Sequence, residues 1–103
     1  NDQAMTADEM VYLLKNDINK IIPQLQNILF WDLLNEARQA VCINMVFNLG
    51  FSGFLNFKNM LSALDECFFE RASREMLDSK WANQVGNRAK ELSEQMKTGE
   101  WQL

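Results

Sequence analysis

The chain has 103 residues, 48 % of them hydrophobic, and a formal charge of −4 from 14 acidic and 10 basic side chains. That is enough for one domain with a modest core and too little for two. The charge balance supplies no basic field for nucleic acid and works against an anionic wall or membrane surface. The absence of histidine removes the commonest neutral-pH general base and the commonest metal ligand.

Cys42 and Cys67 both lie in apolar stretches and read as two buried free thiols rather than a disulfide or a zinc site. No phosphate-binding loop or metal-ligand cluster is present in the sequence, so neither a cofactor nor a metal is expected. Asn1-Asp2-Gln3 leads into a polar segment with no apolar core, so no secretory signal is read there. The missing initiator methionine suggests a piece of a longer protein or a processed product.

Thr6-Ala7-Asp8-Glu9 is a capping box, with Met5 placed to staple onto Met10. A helix then follows through Met10, Leu13, Leu14 and Ile18 to Ile22. Pro23 predicts a break or bend near residues 19–23, with a second short helical piece from Gln24 to Phe30. Asp32 is read as the cap of a helix starting near Leu33.

That helix passes into the central stretch, Asn35 to Gly50. From Ala40 to Phe47 only Asn44 is polar, which marks a helix buried in a core. Its longest uninterrupted apolar pieces, Val41 to Ile43 and Met45 to Phe47, are far short of the roughly 20 residues that cross a bilayer. Gly50 is a natural stop. Phe51 to Phe54 reads as a turn, and Phe54, Phe57, Met60, Leu61 and Leu64 as the face of the next helix. Phe68 and Phe69 are core candidates, followed at helical spacing by Ala72, Met76 and Leu77. Asn87 is a candidate cap for a last helix carrying Ala89, Leu92 and Met96, and Thr98-Gly99 ends it. Trp101 to Leu103 forms a tail able to fold back.

No run reads as a strand. The fold expected for 1–103 is therefore a single all-α domain, a compact irregular helical bundle around a central buried helix.

The residues offer little for catalysis. A glycosidase needs two carboxyl groups facing each other across a sugar. Asp32 and Glu36 share i,i+4 spacing, but capping and ion pairing explain them better. Glu75 has Arg71 four residues earlier, the spacing of a surface ion pair. Trp81 with Asn83 and Gln84 combines a flat apolar plate with amide donors and acceptors, which suits carbohydrate, although a buried wedge accounts for the tryptophan better.

Three motifs carry a resemblance. Ile43-Asn44-Met45-Val46-Phe47-Asn48-Leu49-Gly50 with Phe57-Lys58-Asn59, then Trp81 to Ala89, then Thr98-Gly99-Glu100-Trp101 closely resemble the C-terminal lobe of the T4-type phage lysozymes (glycoside hydrolase family 24, endolysins or muramidases). The resemblance implies a bundle forming one side of a peptidoglycan cleft. It places Phe47 and Asn48 at the cleft floor, and Glu75 where the family has an asparagine near saccharide. Met60 stands where the family has a cleft-edge serine. Arg88 falls at the position of an arginine that reaches the catalytic glutamate of the N-terminal lobe.

That lobe holds the family's acid, its aspartate partner and a water-positioning threonine, none of which has a counterpart here. The catalytic set expected of this chain is none, and on its own it is expected to be inactive. The expected substrate-binding set is Phe47, Asn48, Glu75, Trp81, Asn83 and Gln84, with Arg88 as an inter-lobe contact. The partners implied are peptidoglycan saccharide, the missing N-terminal lobe or a partner protein, and a possible homodimer, with no nucleic acid and no membrane span. By resemblance the site of action is the periplasmic wall, reached from the host cytoplasm. The alternative is a catalytically inactive lysozyme-like interaction module.

Overall fold

The computed structural model describes residues 19–102, and every element it contains is helical. The expected capping box at Thr6, the Met5–Met10 staple and the helix through Met10 to Ile18 lie outside the described residues.

The described chain opens in helix α1 (19–26), whose Ile21 and Leu25 are buried. Helix continues across Pro23 instead of breaking there, and ends at Gln26 where Gln24 to Phe30 was expected to be helical. An interior proline costs a backbone hydrogen bond; the apolar side chains on either side of it, both packed into the core, hold the turn in place. Turns then lead to a short 3₁₀ segment, Trp31–Leu33.

Helix α2, Glu36–Leu55, starts at Asn35 rather than near Leu33: Asn35 Oδ1 accepts the Arg38 N–H at 3.0 Å. Asp32 lies inside the 3₁₀ turn and caps nothing. The difference is physical: Leu34, buried at the end of that turn, and Asn35 after it are both extended (ψ 136° and 175°), so the chain enters α-helix only at Glu36. At Gly50 the helical path breaks (φ 77°, ψ 163°) in a region open essentially to glycine. The expected stop is there, but Phe51 to Leu55 resumes as a helical turn instead of an open loop. α2 and helix α3, Lys58–Asp65, meet at 96°.

Cys67 follows α3 with φ 60°. Cys67 N–H donates to Leu64 O at 3.0 Å and Phe68 N–H to Ala63 O at 2.8 Å, the paired bonds that close a helix around a left-handed residue. This turn corrects two expectations. Cys67 is exposed, leaving Cys42 as the buried thiol, and Phe68 is 52 % exposed, leaving Phe69 alone partly in the core.

Helices α4 (Phe69–Leu77), α5 (Lys80–Val85) and α6 (Asn87–Thr98) complete the bundle. The Ser79 hydroxyl accepts the Ala82 N–H at 3.1 Å to start α5. Asn87 does not cap α6; Gly86 occupies the cap position without a side-chain bond. Gly99 (φ 72°) ends α6 in the left-handed conformation.

α2 supplies the core's spine through Val41, Cys42, Met45 and Val46, while α6 packs on α4 above all and also on α2 and α5. Met60, Leu64, Met76, Leu92 and Met96 fill the space between them, each such side chain contributing about 1.5–3 kcal/mol relative to exposure. Burial pushes the Cys42 thiol up to about 12. Among the described residues no single helix is long and apolar enough to cross a membrane.

A tight polar joint ties the start of α2 to the end of α6. Asn35 Nδ2 donates to Gly99 O at 2.8 Å. Arg38 donates from Nε to Met96 O at 2.7 Å and from Nη2 to Lys97 O at 3.0 Å, with its guanidinium 3.6 Å from the centre of the Phe69 ring. Partial desolvation lowers the Arg38 pKa from its usual value, an effect opposed by nearby Cys67. Buried Gln95 donates to Ala37 O at 2.7 Å and accepts the Gln102 N–H at 3.3 Å, which folds the tail back.

Candidate functional site

Carboxylates come first, because hydrolysis of a glycoside depends on them. Among the described residues none is buried, and only Glu75 is even partly so. Asp32 and Glu36 are both exposed, the first in the 3₁₀ turn and the second in the first turn of α2. A carboxyl group kept protonated as a general acid needs a desolvating pocket, and no described side chain has one.

The ends of three elements do build a concavity. The turn after α2, the first turn of α3 and the last turn of α4 enclose a depression of about 220 Å³. Phe57 lines it with apolar surface, over buried Met60; Asn56, Asn59 and Lys58 come from the α3 side, Glu75 and Asp78 from the α4 side. Phe57 is fixed from behind by Trp81, edge to face at 6.2 Å and 85°. Met60 is fully buried, as a packing residue would be.

The sequence-derived set is not gathered into this one depression. Glu75 lies in it, and the ion pair with Arg71 is not formed; the surface pairs among the described residues are Arg74–Glu70 at 3.1 Å and Arg88–Glu91 at 3.4 Å. Trp81 is 3 % exposed, and its indole N–H is buried without a partner. Its ring is therefore a wedge under Phe57, with no face turned outward. Phe47 is partly buried against the core, and Asn48 is exposed with Nδ2 donating to Asn44 O at 3.1 Å.

Asn83 lines a separate, wider depression of about 410 Å³ with Gly86, Asn87, Lys90 and Leu77. Gln84 is exposed beside it in sequence. Arg88 is half-exposed and donates to Glu91 Oε1 and to Asn44 Oδ1, each at 3.4 Å, joining α6 loosely to α2. Neither bond is short enough to hold the guanidinium firmly.

Sequence reasoning missed Asn56, Lys58, Asn59 and Asp78 as members of a site. The signal available was local: amides three residues apart at a helix start, and carboxylates three residues apart at a helix end.

No family model matches the chain. It is 27 % identical to a probable T4-type lysozyme 1 of Dictyostelium discoideum, over 96 % of this chain and 61 % of that protein. It is also 27 % identical to the pre-baseplate central spike protein Gp5 of Enterobacteria phage T4, over 96 % of this chain and 18 % of that protein. The chain is a distant homologue of both. It spans less than two thirds of either, and its described residues are wholly helical.

Proposed function

We propose that this chain is the C-terminal lobe of a peptidoglycan-degrading lysozyme, forming one wall of the cleft in which the β-1,4 bond from N-acetylmuramic acid to N-acetylglucosamine is hydrolysed. The observation that carries the reading is similarity to a protein described as a lysozyme along 96 % of this chain. A helical bundle with a polar-rimmed depression over an aromatic base fits that role, since sugars bind by hydrogen bonds at a rim and apolar contact below. The acid and its partner carboxylate come from outside this stretch, in keeping with the exposure of every described carboxylate except half-buried Glu75. Arg88, held only loosely, is the contact offered to the lobe that carries them.

Incubating the 103-residue chain with insoluble, fully N-acetylated peptidoglycan tests the proposal. Co-sedimentation with the wall material without loss of turbidity is expected. Turbidity loss by the chain alone would overturn the division of labour, and failure to sediment would overturn the role as a cleft wall. The alternative, an inactive interaction module, draws on the likeness to the spike protein; it predicts no co-sedimentation and capture of a protein partner instead.

A further inference from the structure

Three segments far apart in sequence meet at Arg38. Its guanidinium donates to the Met96 and Lys97 carbonyls at the end of α6 and rests 3.6 Å from the centre of the Phe69 ring, while Asn35 ties the start of α2 to Gly99. Cys67 stands close by, in the turn before α4. Six large apolar side chains are exposed among the described residues, and four of them belong to these segments: Leu29 and Leu33 in the turns before α2, Phe68 in the turn before α4, and Trp101 just after α6. Apolar residues exposed singly are ordinary. Four drawn to one end of a small bundle make a patch of the kind that marks a contact surface.

The backbone beneath these side chains is fixed. Leu33 N–H donates to Phe30 O at 2.9 Å and Phe68 N–H to Ala63 O at 2.8 Å. Trp101 is bracketed by Glu100 N–H on Thr98 Oγ1 at 3.1 Å and Gln102 N–H on Gln95 Oε1 at 3.3 Å. Anchors held on ordered backbone lose little freedom when a partner covers them.

Charge decides what that partner is. The segments 29–38, 65–69 and 96–102 carry exposed Asp32, Glu36, Asp65, Glu66 and Glu100, none of them in an ion pair among the described residues. Against them stand exposed Lys97 and Arg38, the latter engaged by two carbonyls. A second copy of the chain would set these acids against one another, and an anionic lipid surface would be repelled as well. Residues 1–18 have the wrong sign too, with four acids against Lys15 alone.

We infer that this end of the bundle docks a cationic amphipathic segment of another protein, whose apolar side chains cover Leu33, Phe68 and Trp101 and whose lysines or arginines meet the surrounding carboxylates. The depression between α3 and α4 is built from the opposite ends of α2, α3 and α4, so the two surfaces are separate. The inference does not depend on the reading of this chain as a cleft wall.

The test is titration of the full chain, at low salt, with a peptide of about 18 residues, long enough to form a helix, that carries leucines on one face and lysines on the other. The control peptide has glutamate in place of lysine. Trp31 and Trp81 are buried and Trp101 is exposed, so acrylamide quenching reports on Trp101, and maleimide labelling of exposed Cys67 reports on the adjoining turn. The lysine peptide is expected to bind about tenfold more tightly than the glutamate one and to protect both Trp101 and Cys67. Phe68→Ser and the double variant Glu66→Gln with Glu100→Gln should each weaken it about tenfold, while Leu77→Ser, exposed at the far end of α4, leaves it unchanged. All of these positions are exposed, so the fold is kept, as circular dichroism would verify. Binding that leaves Trp101 and Cys67 unprotected, or that survives both variants, is unspecific attraction to an acidic chain and overturns the inference. Equal binding of the two peptides, or of neither, overturns it as well. Sedimentation of the chain alone should show a monomer; self-association that protects Trp101 would assign this face to a second copy instead.

Discussion

The two ends of α2 treat polar groups in opposite ways. At its start, Asn35, Arg38 and Gln95 each donate to a backbone carbonyl on the neighbouring element, and the Gln95 oxygen also takes the tail's Gln102 N–H. Beyond its far end the Trp81 indole N–H is buried unpaired, while Glu75 and Asp78 are left to solvent without a cation among the described residues. Buried polar groups are rarely left unpaired because each costs about 1–3 kcal/mol. A chain that satisfies them carefully at one end and not at the other separates the joint that holds it together from the surface it presents.

The largest expected effect tests the dry middle of α2 that both ends depend on. Below pH 9.0 the Cys42 thiol keeps its proton in the folded and unfolded states alike. Between pH 9.0 and about 12 the unfolded chain gives it up while the folded one does not. The folded state then holds more protons, so stability falls as pH rises through this window, on the order of a few kcal/mol by its upper end. Urea midpoints at pH 8, 9.5 and 11 should show the decline, and Cys42→Ala should flatten it relative to the parent chain.

At the joint, Gln95→Ala leaves Ala37 O and Gln102 N–H without their partner and should lower stability by about 1–3 kcal/mol, read from the same urea midpoints. Gly99→Ala should cost about 1–2 kcal/mol from its left-handed backbone alone. A methyl there would also lie 2.9 Å from the Arg38 guanidinium, which its two carbonyl bonds keep from moving aside. Gly50→Ala adds a Cβ that meets nothing within 4 Å, so its loss reports backbone strain alone, in the glycine-only region at ψ 163°.

The smallest effect is expected at the open end. Trp81→Phe deletes an indole N–H that has nothing to bond, so stability should change by less than about 1 kcal/mol or rise. The smaller ring also leaves buried space, so only a loss clearly larger than that of Gln95→Ala would show that the indole is paired in solution.

The all-helical fold was legible because the apolar periodicity of Val41 to Val46 and of Ala89, Leu92 and Met96 is strong and local. Cap positions were less so. Asp32 and Asn35 are equally good capping residues, and burial of Leu34 chose between them. The end of α3 carries no glycine to announce it; a cysteine takes the left-handed position there. Gln95, polar and on the last helix, gives no sign in sequence that it reaches Ala37, fifty-eight positions away. The depression escaped notice for the same reason, since Asn56 to Met60 and Glu75 to Ser79 meet only when α3 turns the chain back on itself. Trp81 carries chemistry for either purpose in sequence, and only its burial with Phe57 packed against it places it in the interior.

The unequal placement of the two thiols gives the molecule an internal gauge of its own opening. A maleimide reaches Cys67 whenever it is added, but reaches Cys42 only when α2 parts from its neighbours. Counting one against two adducts by intact mass over time therefore measures how often the core breathes. Repeating the count with saturating soluble peptidoglycan fragments present would show whether wall binding slows that motion.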